Sequence, residues 1–211
     1  MYGVFEMIKS IKISNTLKLV LAGVGLTLLF LLVAMALYPN YNQFEQTISK
    51  LGNIWPSSFF FSLAILIEAV TLSYLLSKIK DDVLRLFKEQ IREFAIIYLL
   101  FNVMIFCMIG VVIFPSKGAT SDIHDVIAVI LFILMAIATF WVSSITKSVL
   151  ENWNKAISYL GYVCALSVII LGLLLTFGEF GPVVQKITVV LFNIWIILTV
   201  YELQKHSQSK I

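Results

Sequence analysis

Continuous apolar runs, each closed by charged or turn-forming residues, set the rhythm of this chain. Six stand out: about Leu17–Tyr38, Ser58–Ser77, Phe94–Phe114, Val126–Thr146, Ala156–Phe177 and Val183–Tyr201. A helix rising about 1.5 Å per residue needs about 20 mostly apolar residues to cross roughly 30 Å of hydrocarbon. The runs have that length. Their apolar residues are consecutive rather than alternating, so the pattern predicts spanning helices and not barrel strands. The breaks hold Pro39-Asn40, the charged run from Lys78 to Glu93, Pro115 to Asp125, Lys147 to Lys155, and Gly178 to Pro182.

Two further stretches are amphipathic without being long and apolar. Met1–Ser14 puts Phe5, Ile8 and Ile11 near one helical face, with Lys9 and Lys12 elsewhere. Ile79–Arg92 sets Val83, Leu84, Phe87 and Ile91 against Asp81, Lys88 and Glu89. Such a segment reads either as an interfacial helix reaching for anionic lipid or as a charged loop with ordinary helical patterning. The expected plan is an amphipathic segment 1–16, a transmembrane domain 17–204 and a tail 205–211.

Composition narrows the class. The 211 residues are 60% hydrophobic and 13% charged, with a mean hydropathy of +0.99, whereas a soluble domain is about 45–50% apolar and about 25% charged. That excludes a cytosolic enzyme, a secreted disulfide scaffold and a disordered tail. The expectation is an all-α integral membrane protein with six transmembrane helices in one bundle, multi-pass in the cell membrane.

Charge placement then gives orientation. Of the 15 Lys and Arg residues, only Lys50, Lys117 and Lys186 fall on the side away from the N-terminus. The excess of basic residues marks the cytoplasmic side, so both termini are predicted inside. The first apolar run starts too late and is too long for a cleavable signal peptide, so none is expected. Cys107 and Cys164 fall inside spans, where neither can form a loop disulfide. Only two histidines occur, on opposite sides, and no metal-ligand spacing is present, so no metal, haem or other cofactor is expected. The expected partners are membrane lipids, with other membrane proteins as an alternative, and no nucleic acid.

The loops predicted outside carry the unusual residues. Tyr38, Tyr41 and Trp55 suit an interfacial aromatic belt. Ser57 and Ser58, after Pro56, predict a cap for the second span. Ser121 or Asp122 would cap the fourth, with the acids complementing its dipole. His124 sits at a membrane boundary, where its ring nitrogens need partners or a role. Flanked by Asp122 and Asp125, its imidazole could be held in one tautomer for proton transfer; structural hydrogen bonding and ligand binding are the alternatives.

Inside the membrane, Glu68 lies roughly 16 Å from the outer end of its span at about 1.5 Å per residue. Asn102 and Asn193 fall near the same depth. An ionised carboxylate there costs several kcal/mol or more. Glu68 is therefore predicted to face the bundle interior, protonated or hydrogen-bonded, with the two asparagines as partners. Ser62, Thr71, Thr139, Ser143 and Ser144 add hydroxyls able to bond back to their own helices. This polar level reads either as a proton or ligand site or as interhelical glue.

Several motifs together carry a family resemblance. Tyr38-Pro39-Asn40-Tyr41, then Ile48-Ser49-Lys50-Leu51-Gly52, then Pro56 opening the next span, resembles domain-of-unknown-function family 998, six-span membrane proteins of archaea and bacteria. The likeness continues through Gly110 and Phe114-Pro115, His124, Gly181, Gln185-Lys186 and Trp195, covering roughly Leu17 to Leu203. Lys50 stands where the family often has an acid, which weakens any mechanism needing a carboxylate there. A more distant similarity is to the eukaryotic six-span family of lysosomal autophagy modulators and a GPI-anchor remodelling factor, with its Ile-Ser-x-x-Gly loop and later histidine. That resemblance implies handling of lipid head groups, as an analogy of fold and not of site.

Three functions follow as expectations. The first is binding or handling of a lipid or lipid-like ligand at an outer site around His124, with Tyr41, Ser49, Asn53 and Lys186 as ligand contacts. Lys50, Lys117 and Lys186 would meet a phosphate as point charges. Were it an enzyme, His124 would be the base, Asp122 or Asp125 its orienter and Ser49 or Ser57 the nucleophile, although no Gly-x-Ser-x-Gly motif is present. The second is a non-catalytic subunit or scaffold of a membrane complex, which the short loops favour. The third is a proton-coupled transporter using Glu68, against which stands the lack of interrupted spans or an internal repeat.

Overall fold

The computed structural model describes residues 14–177 and 181–209. The amphipathic N-terminal stretch up to residue 13 lies outside them. The described residues form six long helices: α1 Asn15–Leu37, α2 Ser57–Leu86, α3 Ile91–Ile113, α4 Ser121–Val149, α5 Lys155–Phe177 and α6 Gly181–Ser209. Each of the six is long and apolar enough to cross a membrane, as the runs of the sequence predicted. Short 3-10 turns at Ile48–Asn53, Lys88–Gln90 and Gly118–Thr120 punctuate the connections.

Successive helices pack on one another, and α6 closes the bundle against α1 and α2. Ser14 opens α1 as a cap, its hydroxyl accepting from Leu17 N at 3.1 Å and donating to Gln204 at 2.5 Å. One side chain thus fills a free helix terminus and ties α1 to α6. That contact marks the end of the bundle where α1 begins and α6 finishes, the terminal end; the Ile48–Asn53 and Gly118–Thr120 turns mark the opposite, loop end.

The apolar interior divides in two. A large cluster runs from mid-bundle to the terminal end and includes Val24, Leu72, Met104, Trp195, Ile196 and Leu203. A smaller one at the loop end gathers Leu31, Ala34, Ile48, Leu51, Phe61, Ala64 and Val111. At two glycines the helices approach too closely for a side chain to intervene. A Cβ on Gly23 of α1 would collide with Thr71 of α2, and one on Gly161 of α5 would collide with Ser143 of α4 and Trp195 of α6.

Several local expectations change. The amphipathic stretch Ile79–Arg92 is not a separate interfacial helix. It is the last turns of α2, the Lys88–Gln90 turn and the start of α3, with Val83 and Phe87 turned into the core while Leu84 and Ile91 stay exposed. Its helical periodicity belongs to the continuation of α2 and the start of α3. The segment expected as a tail from residue 205 is helical to Ser209. It is fastened by Ser207 to Asp82 at 2.7 Å, and by His206 Nε2 to the Glu151 carbonyl at 3.1 Å.

The caps differ as well. Ser57 is the first residue of α2 and lies past the capping position; its hydroxyl donates to the Leu51 carbonyl at 2.9 Å. For α4 the residue at the cap position is Thr120, one before the serine and aspartate expected. Its hydroxyl serves the loop, donating to the carbonyls of Pro115 at 2.8 Å and Lys117 at 3.0 Å.

Candidate functional site

At the loop end the polar side chains serve chiefly to fasten backbone. Gln185 accepts from Ile48 N at 2.7 Å, joining α6 to the 3-10 turn. The Lys186 ammonium donates to the carbonyls of Gln46 at 2.7 Å, Gln43 at 2.8 Å and Pro182 at 3.3 Å. It also lies 5.3 Å from the centre of the Tyr41 ring. Tyr41 donates to Gln46 O at 3.2 Å, and burial, with Tyr38 adding to it, pushes its phenol up to about 12. Asn53 donates to Ser116 O at 2.9 Å and Lys117 returns a bond to Asn53 O at 2.8 Å, so the two loops are stitched reciprocally. Ser49 pairs with the Thr47 hydroxyl at 3.0 Å.

These bonds matter for any anion. An ammonium holding three carbonyls has no free donor for a phosphate, since lysine carries three N–H groups. Of the three outer lysines expected to greet a head group, Lys186 and Lys117 are engaged with backbone carbonyls, and Lys50 is exposed.

His124 is 1% exposed. Its Nδ1 lies 2.7 Å from the Phe114 carbonyl, and a carbonyl can only accept, so Nδ1 carries the proton. Nε2 is buried without a partner. Asp122 and Asp125 are both exposed, and neither bonds the imidazole. Helical geometry explains the separation: residues one and two apart do not face each other, so turning His124 inward turns both acids away. The structure brings His124 to the loop that closes α3, not to a carboxylate. Asn53 and His124 share that loop, through Ser116 O and Phe114 O.

At mid-depth, Glu68 and Asn102 lie eleven residues from the loop ends of α2 and α3, and Asn193 lies twelve from that of α6. Glu68 is 5% exposed and faces the interior as expected. No hydrogen bond joins the three. Asn102 donates to Tyr98 O at 2.7 Å and Asn193 to Val189 O at 3.0 Å, each on its own helix. Both Glu68 oxygens and Asn193 Oδ1 are buried without partners. Thr71, Thr139 and Ser144 bond back to their own helices, at 2.8, 2.9 and 2.8 Å. Ser143 instead crosses between helices, accepting from Trp195 Nε1 at 3.1 Å, while Ser158 donates to its carbonyl at 3.0 Å.

Sequence reasoning missed a cavity of about 300 Å3 in the terminal half. One wall is the α2–α3 pair, with Leu72, Leu76, Ile79, Phe94 and Phe101; the other is α4 and α6, with Val142, Trp195, Ile196 and Val200. Lys80 of α2, exposed, stands at its edge, and so does Ala95 of α3. The walls are almost wholly apolar, and His124 is not among them. The only sequence signal was the periodicity of Ile79 to Ile91, of which Val83 and Phe87 mark buried positions but not a gap between them.

No curated protein and no solved structure matches this chain. A family model described as "Protein of unknown function (DUF998)" matches residues 21–201, from within α1 to near the end of α6. The chain is a multi-pass membrane protein, and it belongs to the DUF998 family.

Proposed function

We propose that this protein holds the acyl chain of a membrane lipid in its terminal-half cavity, with Lys80 at the mouth meeting the phosphate of the head group. The cavity carries this reading. Its volume of about 300 Å3 sits at the lower bound of ligand pockets, which run about 300–1,000 Å3 with mostly apolar walls and a few polar groups. It lies among spanning helices, where the bilayer itself supplies acyl chains. An ammonium on a four-carbon stem suits a phosphate at the interface, because the stem rests on apolar surface while the charge stays with water and head groups. The loop end supports the lipid reading less well, since Lys186 spends its three donors on carbonyls and Lys117 gives one of its own to Asn53 O.

The test is native mass spectrometry of protein extracted with its surrounding membrane. Wild type is expected to retain lipid, Lys80→Glu to lose anionic species selectively, and Ala95→Trp, which fills the cavity from α3, to lose lipid altogether. An Ala95→Trp protein with unchanged thermal stability and the same bound lipid would sink the assignment.

A further inference from the structure

Thr27, Glu68 and Asn193 occupy equivalent places on three helices that pack together. The two apolar clusters of the bundle meet at one level, and each of these residues falls at that seam. On α1, Thr27 lies between Val24 of the large cluster and Leu31 of the small one. On α2, Glu68 lies between Ala64 of the small cluster and Leu72 of the large. On α6, Asn193 lies between Val189, packed on the small cluster, and Ile196 of the large. All three are nine-tenths buried or more, and the Thr27 hydroxyl runs beside the Glu68 side chain.

What this seam offers is oxygen. The Thr27 proton goes toward the Ala64 carbonyl at 3.4 Å and the Asn193 amide to Val189 O at 3.0 Å. Both Glu68 oxygens and Asn193 Oδ1 are buried with no hydrogen bond of good geometry, the Thr27 hydroxyl being a neighbouring donor to the carboxyl. No basic side chain shares the level. On α1 the only charge among the described residues is Lys18, at the terminal end. On α6 Lys186 lies two turns toward the loop end with its ammonium spent on carbonyls. On α3 the titratable groups between Glu93 and the loop end are Tyr98 and Cys107. Buried oxygens that the neighbouring donors leave without a good hydrogen bond call for a positive partner, and a buried acid within a span is where ion and proton pathways are built.

We propose that Thr27, Glu68 and Asn193 form an intramembrane site for a proton or a small monovalent cation, bound by the Glu68 carboxyl with the other two oxygens completing the shell. This stands apart from the lipid cavity, which begins one turn further along α2. The site loads and unloads a positive charge at mid-depth without requiring a broken helix.

Reaction with a membrane-soluble carbodiimide tests it. The acid proton passes to a carbodiimide nitrogen, the Glu68 oxygen adds to the central carbon, and the acyl group then migrates to nitrogen as a stable N-acylurea. Nothing leaves and no oxidant is needed. In reconstituted wild type the adduct is expected at Glu68 and is absent from Glu68→Gln. Its rate should fall about tenfold per pH unit on the alkaline side if a proton is the occupant. At fixed pH, protection by Na+ relative to a bulky organic cation identifies a metal cation instead; either result supports the site. The infrared band of the protonated carboxyl, followed in wild type alone, gives the same titration should Glu68→Gln not fold. No adduct at Glu68, or an adduct and band indifferent to both pH and Na+, overturns the proposal.

Discussion

Gly161 is the residue at which three helices come nearest to one another. Ser143 and Trp195 hydrogen-bond at 3.1 Å across the space that a Cβ on Gly161 would fill. Gly161→Ala therefore overpacks α4, α5 and α6 at once and breaks that bond, at a cost of about 1–3 kcal/mol. Thermal unfolding in detergent should show a clear fall in Tm. Ser143→Gly placed on top should recover part of it, because it removes the Ser143 atoms with which the new methyl collides and leaves only the contact with Trp195. His124 makes the complementary case. His124→Ala leaves the Phe114 carbonyl without its partner and empties a buried ring site, so a loss of about 1–3 kcal/mol is expected for the hydrogen bond alone. Asp122→Asn and Asp125→Asn, both exposed, should change stability by no more than about 0.5 kcal/mol. If either aspartate variant matched His124→Ala in the same unfolding measurement, the separation of the acids from the imidazole would be wrong. The sequence carried the unusual status of His124 and Glu68, because a polar ring at a boundary and an acid in a span are conspicuous by type. It did not carry the partner of His124, since a backbone carbonyl leaves no mark in a sequence.

Among the elements, the 3-10 turn Ile48–Asn53 owes its position to side chains that come from elsewhere. Gln185 bonds its first residue, Lys186 holds the preceding strip of chain through Gln43 and Gln46, and Ser57 pins Leu51 from the start of α2. The Ile48-to-Gly52 stretch, Gln185-Lys186 and Phe114-Pro115 with His124 are the motifs on which the family resemblance rests, and they meet in this fastening. Lys186→Met removes the three carbonyl bonds while keeping most of the stem, so limited proteolysis should cut the chain between Tyr38 and Asn53 much faster than in wild type. Equal protection would mean the lysine is dispensable. Tyr41 adds a pH signature to the same loop. Its phenol is raised to about 12 in the fold against about 10 for a free tyrosine. The stability this contributes is complete below about pH 10 and is lost as pH rises through the folded value. A tyrosinate absorbance titration, wild type minus Tyr41→Phe, should place this residue's transition nearer 12 than 10. The spans were legible because about 20 consecutive apolar residues have one use in a membrane. The ends of α2 and α6 were not, because beyond the hydrocarbon a helix persists by packing, and its packing partners come from other parts of the chain.

For the whole molecule, fold and orientation rest on different physics. Helix packing gives a bundle with the start of α1 beside the last turns of α6, as the Ser14–Gln204 contact requires. The same bundle could lie in a membrane either way up. Charge supplies the asymmetry: among the described residues Lys50, Lys117 and Lys186 are the basic residues of the loop end, against nine on the other side. Juxtamembrane lysines and arginines are retained on the cytoplasmic side, so the loop end should face outward and the lipid cavity should open toward the inner leaflet, where anionic lipid is concentrated. Engaging Lys117 and Lys186 with carbonyls does not weaken this argument, because insertion precedes the folded bonds and reads the charges of the chain as it enters. Single cysteines placed at Lys50 and Lys147 in a protein with Cys107 and Cys164 replaced by serine or alanine give the measurement. A membrane-impermeant maleimide added to intact cells should label the cysteine at 50 and leave the one at 147 untouched until the membrane is opened. The reverse pattern would invert the molecule, move the mouth at Lys80 to the outer leaflet, and leave the six-helix fold unchanged.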